Sequence, residues 1–284
     1  MVIDSGIGPN KYLNSYVQYD DSEDYHDDSR SGHGTHVAGI VAFGNKHPGH
    51  LTLPALFGYD PLCHKVKIYS CKYYDDDMSG YWAILWGKSI PAPILHEKKE
   101  LGCIQRAIDM KINIINFSGG GLNPIRDEYN ALKKFTDQGG WVIASAGNEN
   151  SDLRVKPFFP ASYHWGYTVT KPFKSETKRG HHTLTITGET IVEKYEPIYR
   201  IVPVAATDKN GKFYQIMGHG SNWRPDIKRE MGVDIWSTLP NNYFGMMTGT
   251  SQATAAFTHR LLQHICTKME ESHGATDNLN SNGH

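Results

Sequence analysis

Between residues 103 and 144 the chain alternates helical and strand periodicity twice, and this rhythm limits the fold more than any other feature. Cys103 to Met110 has helical spacing, and Ile112-Asn113-Ile114-Ile115-Asn116-Phe117 is an apolar strand ending in Ser118-Gly119-Gly120-Gly121. Arg126 to Asp137 is again helical, and Gly139-Gly140 leads into the strand Trp141-Val142-Ile143-Ala144. Strands joined by helices in this order predict an α/β fold with a mostly parallel sheet and right-handed crossovers. Val66 to Cys71 and Ile201 to Ala206 read as further strands. His182 to Val192 alternates like a β-hairpin turning at Gly188-Glu189. The stretch 82–100, with two prolines and a Lys-Lys pair, reads as an inserted loop, and the polar end, 271–284, as a disordered tail.

A chain of 284 residues accommodates one large α/β domain or two small ones. Its formal net charge of -1 argues against a broad electrostatic grip on nucleic acid or anionic lipid. No run approaches the roughly 18 apolar residues of a membrane span, and Met1-Val2-Ile3-Asp4 lacks the regions of a secretory signal. The mean hydropathy of -0.50 points to long polar surface insertions. Four cysteines (Cys63, Cys71, Cys103, Cys266) form no C-x-x-C pair. Free thiols are the expectation, with a Cys63–Cys71 bridge as the other reading.

Three short stretches carry candidate chemistry. Asp4 follows the apolar Val2-Ile3 and would stand at a strand's carboxyl end, as a functional carboxylate or as a turn residue. Gly6-x-Gly8 is no dinucleotide motif, because position 11 is Lys. His33 and His36 open the tightly packed helix Gly32 to Ala42, where they could be a base, a structural pair or metal ligands needing a third partner. Ser251, in Gly249-Thr250-Ser251-Gln252-Ala253, sits at the start of an alanine-rich helix, where a serine is either a cap or a nucleophile near the positive dipole end. The acidic stretch Asp20 to Arg30 reads as a solvated loop, a cation site or a negative rim.

Taken together, these stretches resemble the subtilisin-like serine proteases (subtilases). The matching blocks are Val2-Ile3-Asp4-Ser5-Gly6, Gly32-His33-Gly34-Thr35-His36-Val37-Ala38-Gly39, Ala144-Ser145-Ala146-Gly147-Asn148-Glu149 and Gly249-Thr250-Ser251-x-Ala253, in the family's order. The resemblance implies a three-layer subtilisin-like fold over residues 1–270, with insertions near 82–100 and 163–197. It implies Ser251 as nucleophile, His33 as general base and Asp4 as the carboxylate that orients it. His36 would be the packing histidine. Asn148, with the Ser251 N–H, would hold the oxyanion.

By the same resemblance, Ser118, Gly119 and Gly120 form one wall of the specificity pocket and Ser145, Ala146 and Gly147 the other. The partner implied is a peptide in extended conformation, with a pro-segment or inhibitor supplied from outside this chain. Glu149 at the rim either favours a basic residue or is solvated. No cofactor is implied. Calcium would be a structural ion, but no ligand can be carried across. Asn116-Phe117-Ser118 is a glycosylation sequon whose place at a strand end disfavours modification. The family's proline four residues after the nucleophile is Ala255 here, which is expected to shift the Ser251 hydroxyl slightly. Relatives have more chain at both ends. The alternative to an endopeptidase is therefore a truncated or inactive protease-like fold that binds peptide without cleaving it.

Overall fold

The computed structural model of the chain describes residues 1–18, 31–44, 62, 66–74, 97–179 and 182–280. Seven strands make one sheet: β1 (Val2–Asp4), β2 (Val17–Gln18), β3 (Ile68–Lys72), β4 (Ile114–Phe117), β5 (Trp141–Ser145), β8 (Ile201–Thr207) and β11 (Lys228–Met231). Their order is β11-β8-β5-β4-β1-β3-β2, and every neighbouring pair is parallel. From β1 the chain passes to the edge strand β2 and returns inward to β3, which lies between the two. It then crosses to β4 and proceeds outward on the other side. The boundary between β1 and β4 is thus the switch point, where a crevice opens at the carboxyl ends of open α/β sheets.

Helices cover both faces, giving three layers. α1 (His33–Phe43) and α4 (Thr250–Asn280) lie on one face, α2 (Glu97–Asp109) and α3 (Arg126–Asp137) on the other. Strand alternation explains why: Ile3, Ile115, Phe117, Val142 and Ala144 join the core under α2 and α3. Their neighbours Val2, Ile114 and Ile143 point oppositely, toward α1 and α4. Each such buried side chain stabilises by about 1.5–3 kcal/mol relative to exposure. Among the described residues, no helix is long and apolar enough to cross a membrane.

Three expectations are corrected. First, residues 97–100 are not part of a loop but the first turn of α2, with Glu97 and Glu100 at its positive end. Glu100 is buried in line with Cys103, Ile104, Ala107 and Ile108, so the helical spacing was interrupted by a carboxyl at an inward position. Residues 82–96 lie outside the described residues. Second, Cys71 in β3 is bridged to Cys103 in α2 across 32 residues of sequence, which excludes both a free thiol and the Cys63–Cys71 pairing. Cys266 is also disulfide-bonded. The absence of a C-x-x-C pair carries no information about cysteines that only the fold brings together.

Third, the hairpin does not turn at Gly188-Glu189. β6 (Tyr167–Arg179) and β7 (His182–Tyr195) pair along their whole length, with Arg179 opposite His182. Gly188 lies mid-strand opposite Phe173, whose ring occupies the space a Cβ would need. The glycine signals a cross-strand ring, not a turn. Two short ribbons complete the fold: β9 (Gln215–Ile216) with β10 (His219–Gly220), and β12 (Ile235–Thr238) with β13 (Phe244–Met247). α4 continues through the polar stretch from residue 271 as far as Asn280.

Candidate active site

Asp4 closes β1 at the switch point and is fully buried. Its Oδ1 accepts the Ser5 N–H at 2.7 Å and lies 2.7 Å from His33 Nδ1. An ionised carboxylate only accepts, so the ring proton belongs on Nδ1, leaving a lone pair on Nε2. His33 reaches Asp4 because α1 begins against the turn after β1. The Gly34 N–H donates to Ser5 Oγ at 2.9 Å, and a Cβ on Gly34 would fall 1.9 Å from the Gly6 carbonyl oxygen. Only glycine permits that approach.

His36, one turn on, is a different histidine. It is buried, with Nε2 3.0 Å from the Ile235 carbonyl and 3.1 Å from the Gly245 carbonyl. Burial, and secondarily the nearby His33, lowers its pKa to about 3, so it stays neutral and ties α1 to the β12–β13 ribbon.

Ser251 lies in the first turn of α4, whose opening bond runs from the Ala253 N–H to the Gly249 carbonyl. Its hydroxyl donates to the carbonyl of Ser118, one residue past β4, at 3.2 Å. Serine and aspartate thus stand at the carboxyl edge of adjacent strands. The two helices agree with this: His259 Nδ1 on α4 donates to the Val41 carbonyl of α1 at 2.9 Å. Eight residues back from that contact lie His33 on one helix and Ser251 on the other, a rise of about 12 Å along each. No hydrogen bond joins the His33 ring to the Ser251 hydroxyl, which points instead to Ser118.

Asn148 flanks the serine turn. Its Oδ1 accepts from the Tyr214 hydroxyl at 2.8 Å, the Thr250 N–H at 3.0 Å and the Thr250 hydroxyl at 3.1 Å. A backbone N–H can only donate, so this atom is the amide oxygen, and the NH2 must face the other way. A Cβ built on Gly249 would lie 3.6 Å from that nitrogen, which places the amide beside the serine turn.

The two predicted pocket walls meet: Ser145 Oγ donates to the Gly119 carbonyl at 3.1 Å. Gly119 has no alternative, because the Tyr73 hydroxyl fills the position of a Cβ. Ala146 is fully buried and Gly147 has φ of 94°. Glu149 is exposed as a residue, yet its carboxyl turns inward, accepting from Asn222 Nδ2 at 2.5 Å. Loss of water around it raises its pKa, against the pull of that hydrogen bond. The Asn116 amide is satisfied at both ends, by Ser118 Oγ and by the Thr258 hydroxyl, leaving the sequon sealed in the core.

Sequence reasoning missed Tyr74, Tyr214 and Asn222. Asn222 is fully buried and clamps the loop after β5, accepting the N–H groups of Glu149 and Ser151 and donating to the Ala146 carbonyl. An Asn between Ser221 and Trp223 gave the only hint. The tyrosines are brought in by the fold alone. The acidic stretch Asp20 to Arg30, expected as a loop, cation site or rim, lies outside the described residues. Among the described residues, no three His, Cys, Asp or Glu side chains cluster as metal ligands.

Solved structures of the same shape include the prenylagaramide maturation protease PagA, at TM-score 0.59 and 18% identity, covering 95% of this chain and 76% of that one. A cold-adapted subtilisin-like serine proteinase aligns at TM-score 0.58 and 17% identity, covering 93% of this chain and 73% of the other. In sequence, the chain is 28% identical to the minor extracellular protease Epr of Bacillus subtilis (strain 168) over 259 residues, covering 89% of this chain and 30% of Epr. It is 26% identical to subtilisin NAT of Bacillus subtilis subsp. natto over 256 residues, covering 89% of this chain and 51% of that protein. The chain therefore spans about a third to a half of the length of these relatives. The sequence profile of the subtilase family matches residues 2–264, nearly the whole of the chain, and the protein belongs to the subtilase family.

Proposed function

We propose that the chain is a serine endopeptidase in which Ser251 attacks the peptide carbonyl, His33 moves the proton and Asp4 holds the imidazole. The observation that carries this reading is the convergence of the bonded Asp4–His33 pair and the Ser251 turn on one edge of two adjacent strands. Turning the Ser251 hydroxyl from the Ser118 carbonyl toward His33 Nε2 gives the base its proton, and Oγ then bonds to the substrate carbonyl carbon. The developing oxyanion is held by the Ser251 N–H, in the unpaired first turn of α4, and by Asn148 Nδ2. His33 then donates to the leaving amine, and water repeats the sequence on the acyl-enzyme.

Every step uses side chains of this chain and calls for no cofactor. The substrate is a peptide lying extended along Ser118–Gly120, with one side chain between that segment and Ser145–Gly147. The inward turn of the Glu149 carboxyl favours a role in bracing this loop over contact with a basic substrate.

The test is a fluorophosphonate probe with casein hydrolysis as companion. The wild-type chain labels at Ser251 and clears casein, and Ser251→Ala does neither. A folded wild-type chain that never labels, or equal clearance by both, overturns the reading.

A further inference from the structure

Asp4 Oδ1 accepts a third donor besides the Ser5 N–H and the His33 ring. The Tyr74 hydroxyl lies 3.2 Å from that oxygen and 3.1 Å from His33 Nδ1, so oxygen, ring nitrogen and phenol form a closed triangle. Tyr74 follows β3, the strand on the far side of β1 from β4, and is buried. Its ring is fixed edge-on against Tyr73, with centroids 4.8 Å apart. The other oxygen of Asp4, Oδ2, is buried with no hydrogen-bond partner. The whole charge of the carboxylate is therefore managed through one atom.

We propose that Tyr74 is a positioning residue of the proton relay, fixing the Asp4 carboxylate and holding the His33 proton on Nδ1. This rests on the proposed function for its consequence in catalysis, but not for its geometry. The phenol can donate to Oδ1 and accept from Nδ1–H together only when the proton is on Nδ1. Of the two neutral tautomers, that is the one whose Nε2 is free to act as a base. The phenol acts through these two hydrogen bonds and is not itself a base in the relay. As a donor to Oδ1 it also draws charge from the carboxylate, making it a weaker partner for the imidazolium. Without the hydroxyl the carboxylate is free to rotate toward Oδ2, and the ring loses one of the described groups that set its orientation.

Phenylalanine keeps the packing and removes only the hydroxyl. The decisive readout is the His33 titration by NMR, in a Ser251→Ala background that prevents self-cleavage, with and without Tyr74→Phe. The titratable groups facing His33 among the described residues are Asp4, Tyr74 and His36, and His36 stays neutral throughout. Removing a donor from the Asp4 oxygen is expected to raise the His33 pKa by about half a unit or more. In the Ser251-intact protein, Tyr74→Phe should lower kcat about tenfold with KM little changed, as for loss of one hydrogen bond to a charged group. The acid limb of kcat/KM should move upward with the titration.

A His33 titration that superimposes in the two proteins overturns the proposal and leaves Tyr74 as packing. A shifted titration in a chain that never cleaves peptide upholds the positioning role and defeats the protease reading alone. A lower melting temperature with unchanged titration and kcat likewise counts against it.

Discussion

A single methyl group at residue 34 tests how the active-site geometry is made. Gly34→Ala would place Cβ 1.9 Å from the Gly6 carbonyl oxygen, so either α1 or the turn after β1 must retreat. Both carry the Asp4–His33 contact, and a displacement of about 1 Å at reacting groups can cost on the order of 100-fold in rate. The expected outcome is a folded protein by circular dichroism whose kcat/KM falls about 100-fold. Asn148 is a second residue-scale case. Asn148→Ala should lower kcat about 10²–10³-fold, a size taken from the same deletion in subtilisin itself, a relative of this chain. Asn148→Asp should be slower still. Its inner oxygen keeps the Thr250 and Tyr214 donors, but the outer atom becomes an anion facing the oxyanion. Steady-state kinetics on one peptide separates the two, and an aspartate variant faster than the alanine variant would remove Asn148 from the oxyanion site.

At the scale of elements, α2 and α3 meet through two buried carboxyls, and this contact should make stability fall with pH. Glu100 and Glu128 are hydrogen-bonded to each other, and Glu128 Oε2 also accepts the Tyr163 hydroxyl at 3.0 Å. Burial is the main cause that raises both; Glu100 is pushed up from 4.5 to about 7 against the pull of its hydrogen bond to Glu128, and Glu128 is raised further by the charge of Glu100. Glu97 adds to the same field, and the phenols of Tyr73 and Tyr163 are raised in turn. A carboxyl whose folded pKa lies above its unfolded value binds more protons folded than unfolded. Its stabilisation is complete below about pH 4.5 and is lost as pH rises through about 7. Glu128→Gln keeps an acceptor for Tyr163 and removes one charge. It should raise the melting temperature at pH 8 by about 5 °C and leave it little changed at pH 4.5. Equal shifts at both pH values would refute the shared proton.

The same pair shows what the sequence could disclose and what it could not. The strand–helix rhythm and the four ordered motifs were readable, because apolar alternation and local turns are properties of neighbours in the chain. Glu100 was not, since a charged letter at an inward position breaks the helical pattern unless its partner Glu128 is known to lie opposite. Cys71 with Cys103, Tyr74 with Asp4, and Tyr214 with Asn148 are likewise pairs that only the folded sheet assembles.

For the whole molecule, the question is which parts the three-layer core needs. The β6–β7 ribbon is anchored at its base: Tyr195 is buried with Tyr129 and Tyr163, and the Arg126 guanidinium lies 3.8 Å from the Tyr195 ring centre. Beyond the irregularity between Val169 and Thr170 the ribbon leaves the core. Phe173, Ile191 and Val192 are exposed there, and none of residues 171–190 belongs to a core cluster among the described residues. Thr170 and Ile191 face each other across the strands, so a two-residue Asn-Gly turn can join them in place of residues 171–190. The shortened chain should keep its melting temperature within about 3 °C, because none of the side chains described in that stretch is buried. Its kcat/KM on a short peptide should stay within about twofold, since none of the described hydrogen bonds that hold Asp4, His33, Asn148 and Ser251 comes from residues 171–190. A shortened chain that unfolds, or that folds and no longer cleaves, would mean that the outer ribbon supports the site and is not merely carried by the core.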